Sequence, residues 1–185
     1  TWITDEVVND FINIMVEEHR CDLYQHTVVG LSTGFNRAPF PRCIQPIFGG
    51  NHWTLAGYGF YHNTVPIFID TKHYGVRNVY RRQLWDLVAH NHADLVFVQL
   101  NGRKQDFNDC GFHCLAAGMD MSMGMTPAML AAQVYDHNEF PRWLMRCLLT
   151  RHITQCPRLQ VADGQFPARV YPRRYTFTAT GRVLD

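Results

Sequence analysis

The chain carries no large excess of either charge. Seventeen Lys and Arg stand against 16 Asp and Glu, leaving a formal +1 over 185 residues. That balance gives no global drive toward nucleic acid or an acidic membrane. No apolar stretch approaches the length needed to cross a bilayer, so no membrane partner is expected. Internal repeats and low-complexity runs are absent. The six cysteines (Cys21, Cys43, Cys110, Cys114, Cys147 and Cys156) include no CxxC pair, so neither a stapled disulfide scaffold nor a paired zinc motif is indicated. Reduced thiols and an intracellular setting (cytoplasm or nucleus) are expected. The opening Thr1-Trp2-Ile3-Thr4-Asp5-Glu6 has no basic-then-apolar signal pattern and no initiator Met, as expected of an excised domain or a processed product.

What is present is enough for a core: 46% of residues are hydrophobic and 13% aromatic. The length fits one domain, read here as residues 1–156, followed by an extended C-terminal arm over 157–185 that can pair as β-structure or belong to the same domain. Thr4 is placed to cap a helix whose first turn is acidic. Val7, Val8, Phe11, Ile12, Met15 and Val16 then give it one apolar face to about Glu18. Residues 30–50 are rich in Gly, Pro, Asn and Arg and read as loop with short extended pieces. Strands are expected from His52 to Tyr58 and from Val65 to Asp70, joined by a turn around 61–64. A helix is expected over Arg82–His92. The run from Asp94 to Leu100 reads as a strand buried on both faces. A polar loop follows to Asp109, then a helix opening at Cys110, a stop at Gly124, a helix capped by Thr126-Pro127, and another near Trp143–Leu149. Helices, then strands, then helices make an α+β layout with a small central mixed sheet flanked by helices.

Cys110 stands where a loop after a buried strand enters a helix. Free amide N–H groups and the helix dipole stabilise a thiolate at that place, and an apolar helix behind it would hold the sulfur rigidly. A thiolate nucleophile needs a base and something to orient that base. If the two middle strands pair antiparallel, His52 at the start of one lies beside Asp70 at the end of the next, and the carboxylate can set the imidazole tautomer. Trp53 can wall the imidazole. Gln105, five positions before Cys110, can add its side-chain amide to the Cys110 backbone N–H as an oxyanion hole, a role for which Gln99, inside the strand, is less suited. Asn108 and Gly111 flank the cysteine as candidate substrate contacts, Gly111 by letting a substrate backbone come close.

The ordered set His52-Trp53, Asp70 after an apolar strand, and Gln105-x4-Cys110-Gly111 resembles the cysteine peptidases that process ubiquitin-like proteins, the SUMO-type and adenoviral-type family. The opening Trp2-Ile3-Thr4-Asp5-Glu6-Val7-Val8-Asn9 is similar to the start of SUMO-protease domains. The resemblance spans about residues 2–150. It implies a papain-like cysteine proteinase fold of the ubiquitin-like protease/adenain type, with His52 as base, Asp70 as its orienter, Cys110 as nucleophile and Gln105 as oxyanion donor. It implies a protein substrate, either a ubiquitin-like modifier cleaved after glycine or a viral or mobile-element polyprotein. It requires no cofactor and leaves room for an activating partner. The spacing from Gln to Cys is one residue shorter than in most SUMO proteases and the Asp70–Cys110 interval is short. In this it is similar to bacterial effectors that use the same triad, some of them acetyltransferases.

Blander readings stand beside these. Cys114 and His113 read as packed residues, Asp109 as a helix cap, and Asp70 in isolation as a turn residue. Cys110, His113 and Cys114 cluster in sequence, as do Cys147, His152 and Cys156, but neither follows a familiar zinc spacing, and no metal is expected. Arg77, Arg81 and Arg82, with Arg169, Arg173 and Arg174, could form basic faces. Most such runs are solvated surface, and docking of an acidic modifier, a partner or nucleic acid is the lesser alternative. A non-catalytic modifier-binding domain and an acetyltransferase remain the competing functions.

Overall fold

The computed structural model describes residues 3–37, 42–60, 65–72, 75–89, 94–100, 109–160, 173–177 and 183–184. Helix α1 (Asp5–Glu17) starts where its cap directs. The Thr4 hydroxyl accepts from the Val7 N–H at 3.5 Å, and Val8, Phe11, Ile12 and Met15 are buried. The 30–50 region departs from the loop reading. It contains the end of a short helix, α2 (Thr27–Ser32), and an edge strand, β1 (Cys43–Phe48). Pro46 within β1 hides that strand from sequence reading. It is tolerated because edge strands can spare a ladder donor.

Strands β2 (Trp53–Tyr58) and β3 (Ile67–Asp70) lie next to β1 in an antiparallel series. Helix α3 (Asn78–Leu84) begins four residues before the expected Arg82 and passes into a π-helical turn (Trp85–Ala89). Its buried Tyr80 and Leu84 share a face with Leu87 and Val88 in that turn. Strand β4 (Asp94–Gln99) pairs parallel with β3, which makes the sheet mixed. Leu95 and Phe97 are buried on one side and Val98 on the other, while Val96 and Gln99 are only half buried, so the expected burial on both faces is incomplete.

Helices α4 (Cys110–Ser122), α5 (Pro127–Ala132) and α6 (Phe140–Thr150) follow. Gly124 ends α4 with φ +88°, and the Thr126 hydroxyl caps α5. From the C-terminal stretch, Arg158 bridges back to Tyr135, β5 (Arg173–Phe177) pairs antiparallel with β4, and β6 (Val183–Leu184) pairs with β5. The strand order is β1-β2-β3-β4-β5-β6.

The fold is α+β, a mixed sheet packed against helices, with a separate apolar cluster on each face. One cluster joins α1, α4, α5 and α6 to Ile44, Leu55, Ile67, Ile69 and Val98. The other joins α3 and the π-helical turn to Ile47, Ala56, Phe68, Leu95 and Phe97. Alternation along the strands divides the two sets. Gly118 and Gly57 let α4 lie close on β2, since a Cβ at Gly57 would overlap the Met121 side chain. Among the described residues, no helix is long and apolar enough to cross a membrane.

Candidate active site

The β1–β2 hairpin turns through Gly50 and Asn51, both at positive φ (+59° and +67°), and the Gly49 N–H donates to the His52 carbonyl at 3.1 Å. Two central residues with φ > 0 are what a type I′ hairpin turn requires. His52 is therefore delivered by a tight turn rather than by a flexible linker. The antiparallel pairing of β2 with β3, in the register Leu55↔Ile69, sets the start of β2 beside the end of β3. The His52 Nε2 and the Asp70 Oδ1 are 2.6 Å apart, with both residues buried. The Lys72 backbone N–H also donates to Asp70 Oδ1 at 2.8 Å, which fixes the carboxylate, and the Leu100 N–H donates to the Asp70 backbone carbonyl, which ties the end of β3 to β4.

Cys110 is the first residue of α4. Its Sγ accepts the backbone N–H of Trp53 at 3.4 Å, which brings the sulfur to the residue that follows His52. Burial by itself pulls the His52 imidazole down. Hydrogen bonds to Asp70 and to Cys110 outweigh that and push it up to about 9. The imidazole thus has two partners. With Nε2 committed to Asp70, Nδ1 is the nitrogen available to the sulfur. Cys110 is 3% exposed and His52 4%, so both members of the pair are buried.

Other candidate residues are placed as follows. Trp53 is buried, its ring centroid 4.8 Å from that of Phe48, and its Nε1 donates to the Ile3 carbonyl. Gly111 is buried as well. A Cβ there would lie 3.2 Å from both Ile3 and Trp53, so the start of α4 is tightly seated against the segment before α1 and against β2. Gln105 and Asn108 lie outside the described residues. Asp109 occupies the position before α4, but its side chain makes no capping hydrogen bond. Cys114 is core: its Sγ donates to the Thr54 carbonyl at 3.2 Å, and burial raises its thiol well above the ordinary value. His113 is buried edge-on to Phe140 at 4.8 Å and beside Tyr135. His152 pairs through Nδ1 with Glu18. Among the described residues, no three His, Cys, Asp or Glu side chains are grouped as a metal site requires. All six cysteines are free.

A pocket of about 380 Å³ adjoins the site, lined by Ile3, Thr4, Asp5, Thr27, Val28, Leu31, Phe48 and Trp53. Val28 and Leu31 on its rim are about half exposed.

Two features escaped sequence reading. The Trp53 N–H on the sulfur is a backbone contact and has no residue signature. The hairpin turn did have one: Gly50-Asn51 between two apolar runs is a two-residue turn signal. No family model and no curated protein matches the chain.

Proposed function

We propose that the chain is a cysteine peptidase of papain-like fold, in which Cys110 is the nucleophile, His52 the base and general acid, and Asp70 the group that orients His52. One observation carries the reading: the buried imidazole of His52 is hydrogen-bonded to the Asp70 carboxylate at 2.6 Å, and the Cys110 sulfur accepts the backbone N–H of the next residue, Trp53, at 3.4 Å, which sets it close enough to help raise the imidazole. A structural cysteine has no use for a base that is itself oriented by a buried acid.

In the proposed cycle the resting pair is a Cys110 thiolate and a His52 imidazolium, the thiol proton lying on the raised imidazole. The sulfur then forms a bond to the carbonyl carbon of the scissile peptide, and the imidazolium gives its proton to the leaving amine as the C–N bond breaks. A water then attacks the thioester, its proton passing to His52. The acid is released and the resting pair restored. The backbone N–H of Cys110, at the start of a 13-residue helix, is a natural donor to the developing oxyanion. Gln105 is proposed as the second donor on the strength of the sequence resemblance. The same resemblance points to a protein substrate cleaved after glycine, in a ubiquitin-like modifier or a polyprotein. The confinement of the Cys110–His52 pair supports a carbonyl flanked by little bulk.

The test uses ubiquitin and SUMO bearing a C-terminal propargylamide, incubated with wild type and Cys110→Ala and followed by intact mass. A covalent adduct on the wild type, absent from the variant, is the expected result. Should neither probe react, hydrolysis of glycine-containing peptides is measured next, together with acetyl-CoA turnover. Thioester turnover without peptide cleavage would replace the peptidase by an acyltransferase. A Cys110 inert to every probe and to iodoacetamide would remove the enzyme reading.

A further inference from the structure

His52 immediately precedes β2, and Asp70 ends β3. One side chain on α3 meets both β3 and the turn that leads to His52. Tyr80 on α3 is fully buried. Its ring centroid lies 5.7 Å from that of Phe68, two residues before Asp70 on β3. Its hydroxyl donates to the Gly49 carbonyl at 3.0 Å. Gly49 in turn donates its N–H to the His52 carbonyl at 3.1 Å. A chain of contacts therefore runs from α3 through the hairpin turn to the residue that carries the imidazole, and the same aromatic ring rests on the strand that carries the carboxylate. Gln83, one turn along α3, adds a donation from Nε2 to the Phe48 carbonyl at 3.1 Å. The helix thus grips two consecutive carbonyls at the mouth of the turn.

We infer that Tyr80 is a positioning residue for His52, fixing the Gly49–His52 turn relative to Asp70 so that the imidazole meets the sulfur. The inference rests on the catalytic reading of the Cys110–His52 pair. A hydroxyl suits this role better than a larger apolar ring. Burial, with the charge of Asp70, raises the Tyr80 phenol well above its ordinary value, so it remains a donor across the working range of pH. The fit at Gly49 is close: a Cβ built there would stand 2.8 Å from Tyr80 and 2.9 Å from Val79. The backbone at Gly49 has ordinary φ, so the glycine is required by the approach of α3 and not by the turn.

The experiment follows alkylation of Cys110 by iodoacetamide in the full chain from pH 5.5 to 9.5, read by peptide mass spectrometry. Wild type, His52→Ala, Tyr80→Phe and Gly49→Ala are compared. Wild type and His52→Ala should differ in the shape of the profile, which establishes that the imidazole controls the sulfur. Tyr80→Phe removes one oxygen and keeps the ring. It should slow the neutral-pH reaction by about tenfold, the scale on which a small misplacement of a catalytic group acts, and move the profile toward that of His52→Ala. Gly49→Ala presses on the same contact from the other side and should shift the profile in the same direction, which keeps the inference testable if Tyr80→Phe folds poorly. A Tyr80→Phe or Gly49→Ala profile that superimposes on the wild type would overturn the positioning role. Superimposed wild-type and His52→Ala profiles would instead overturn the catalytic pair itself.

Discussion

Acidification should weaken this fold through a histidine that takes no part in the proposed chemistry. His113 lies on the inner side of α4, 5% exposed, edge-on to Phe140, with its Nδ1 buried and without a hydrogen-bond partner among the described residues. Burial, helped by the nearby positive charge of His137, pulls it from 6.5 down to about 4. Between those values the unfolded chain binds a proton at this residue and the folded chain does not, so stability rises with pH across the window and is lost as pH falls through it. From pH 7 to pH 5 the linkage relation gives a loss of about 2 kcal/mol. At a urea dependence of about 2 kcal/mol per molar, the midpoint falls by roughly 1 M. Urea unfolding followed by tryptophan fluorescence at pH 7, 6 and 5 measures it, with Trp143 buried in the same cluster as a reporter. The control is His113→Leu, which removes the titration at nearly constant volume. Glu18 and Asp22 are held below their ordinary values by hydrogen bonds, and His52 also changes its proton balance, but these groups are shared by both proteins and cancel in the comparison. The variant should lose about 2 kcal/mol less than wild type between pH 7 and 5. Parallel losses in the two proteins would refute the reasoning.

His52 should act in the opposite sense. Its folded value of about 9 exceeds the unfolded 6.5, so its stabilisation is fully present below pH 6.5 and declines as pH rises toward 9; unfolding midpoints of wild type should fall over that interval, and those of His52→Gln should stay flatter. Asp70→Asn should slow covalent labelling by the reactive ubiquitin-like probe by about 100-fold or more through the wrong imidazole tautomer, with the midpoint of unfolding changed far less than the rate. At the far end of α4, Asp120 is fully buried and accepts from the Tyr135 hydroxyl at 2.7 Å and from Arg158 at 2.6 Å. Tyr135→Phe should cost about 1–2 kcal/mol in urea unfolding. Arg158→Met should cost somewhat more but remain under the roughly 3–5 kcal/mol of a fully buried pair, because Arg158 keeps 30% exposure. Gly111→Ala places a methyl 3.2 Å from Ile3 and Trp53 and should destabilise by about 1–3 kcal/mol.

The site was legible in sequence wherever local periodicity or strand geometry governs it. Two apolar runs separated by a turn imply antiparallel neighbours, and that alone sets His52 beside Asp70. Apolar residues recurring at three and four after Cys110 imply the helix that begins there. Legibility ended where a contact depends on packing between distant elements. Strand β1 was hidden by Pro46, a residue that argues against a central strand and says little about an edge. Tyr80 stands in a stretch with arginines on either side, and only the approach of α3 to the turn at Gly49 gives its hydroxyl a partner. Glycine at 111 suggests close backbone approach from sequence, and the approach of Ile3 and Trp53 of the same chain to that position is a packing detail that sequence does not show.

The two apolar clusters explain why the residues of the site are so far apart in sequence. Cys110 belongs to the cluster that joins α4 to α1 and α6, so the position of the sulfur follows from how that helix is seated on β2. Asp70 alternates with Ile69 and so falls on the same face of the sheet as Phe68, the face that α3 covers. His52 follows the turn that Tyr80 and Gln83 hold on that same side. The sulfur is thus set from one face of the sheet and the imidazole from the other. They meet at the strand ends, where the Trp53 N–H reaches the sulfur. Neither cluster can place both partners alone. A thiol brought to an oriented imidazole by two independently packed faces requires many residues on each side to agree, and an inert buried cysteine needs no such agreement. That difference is the physical ground for reading the Cys110–His52–Asp70 arrangement as chemistry rather than as core.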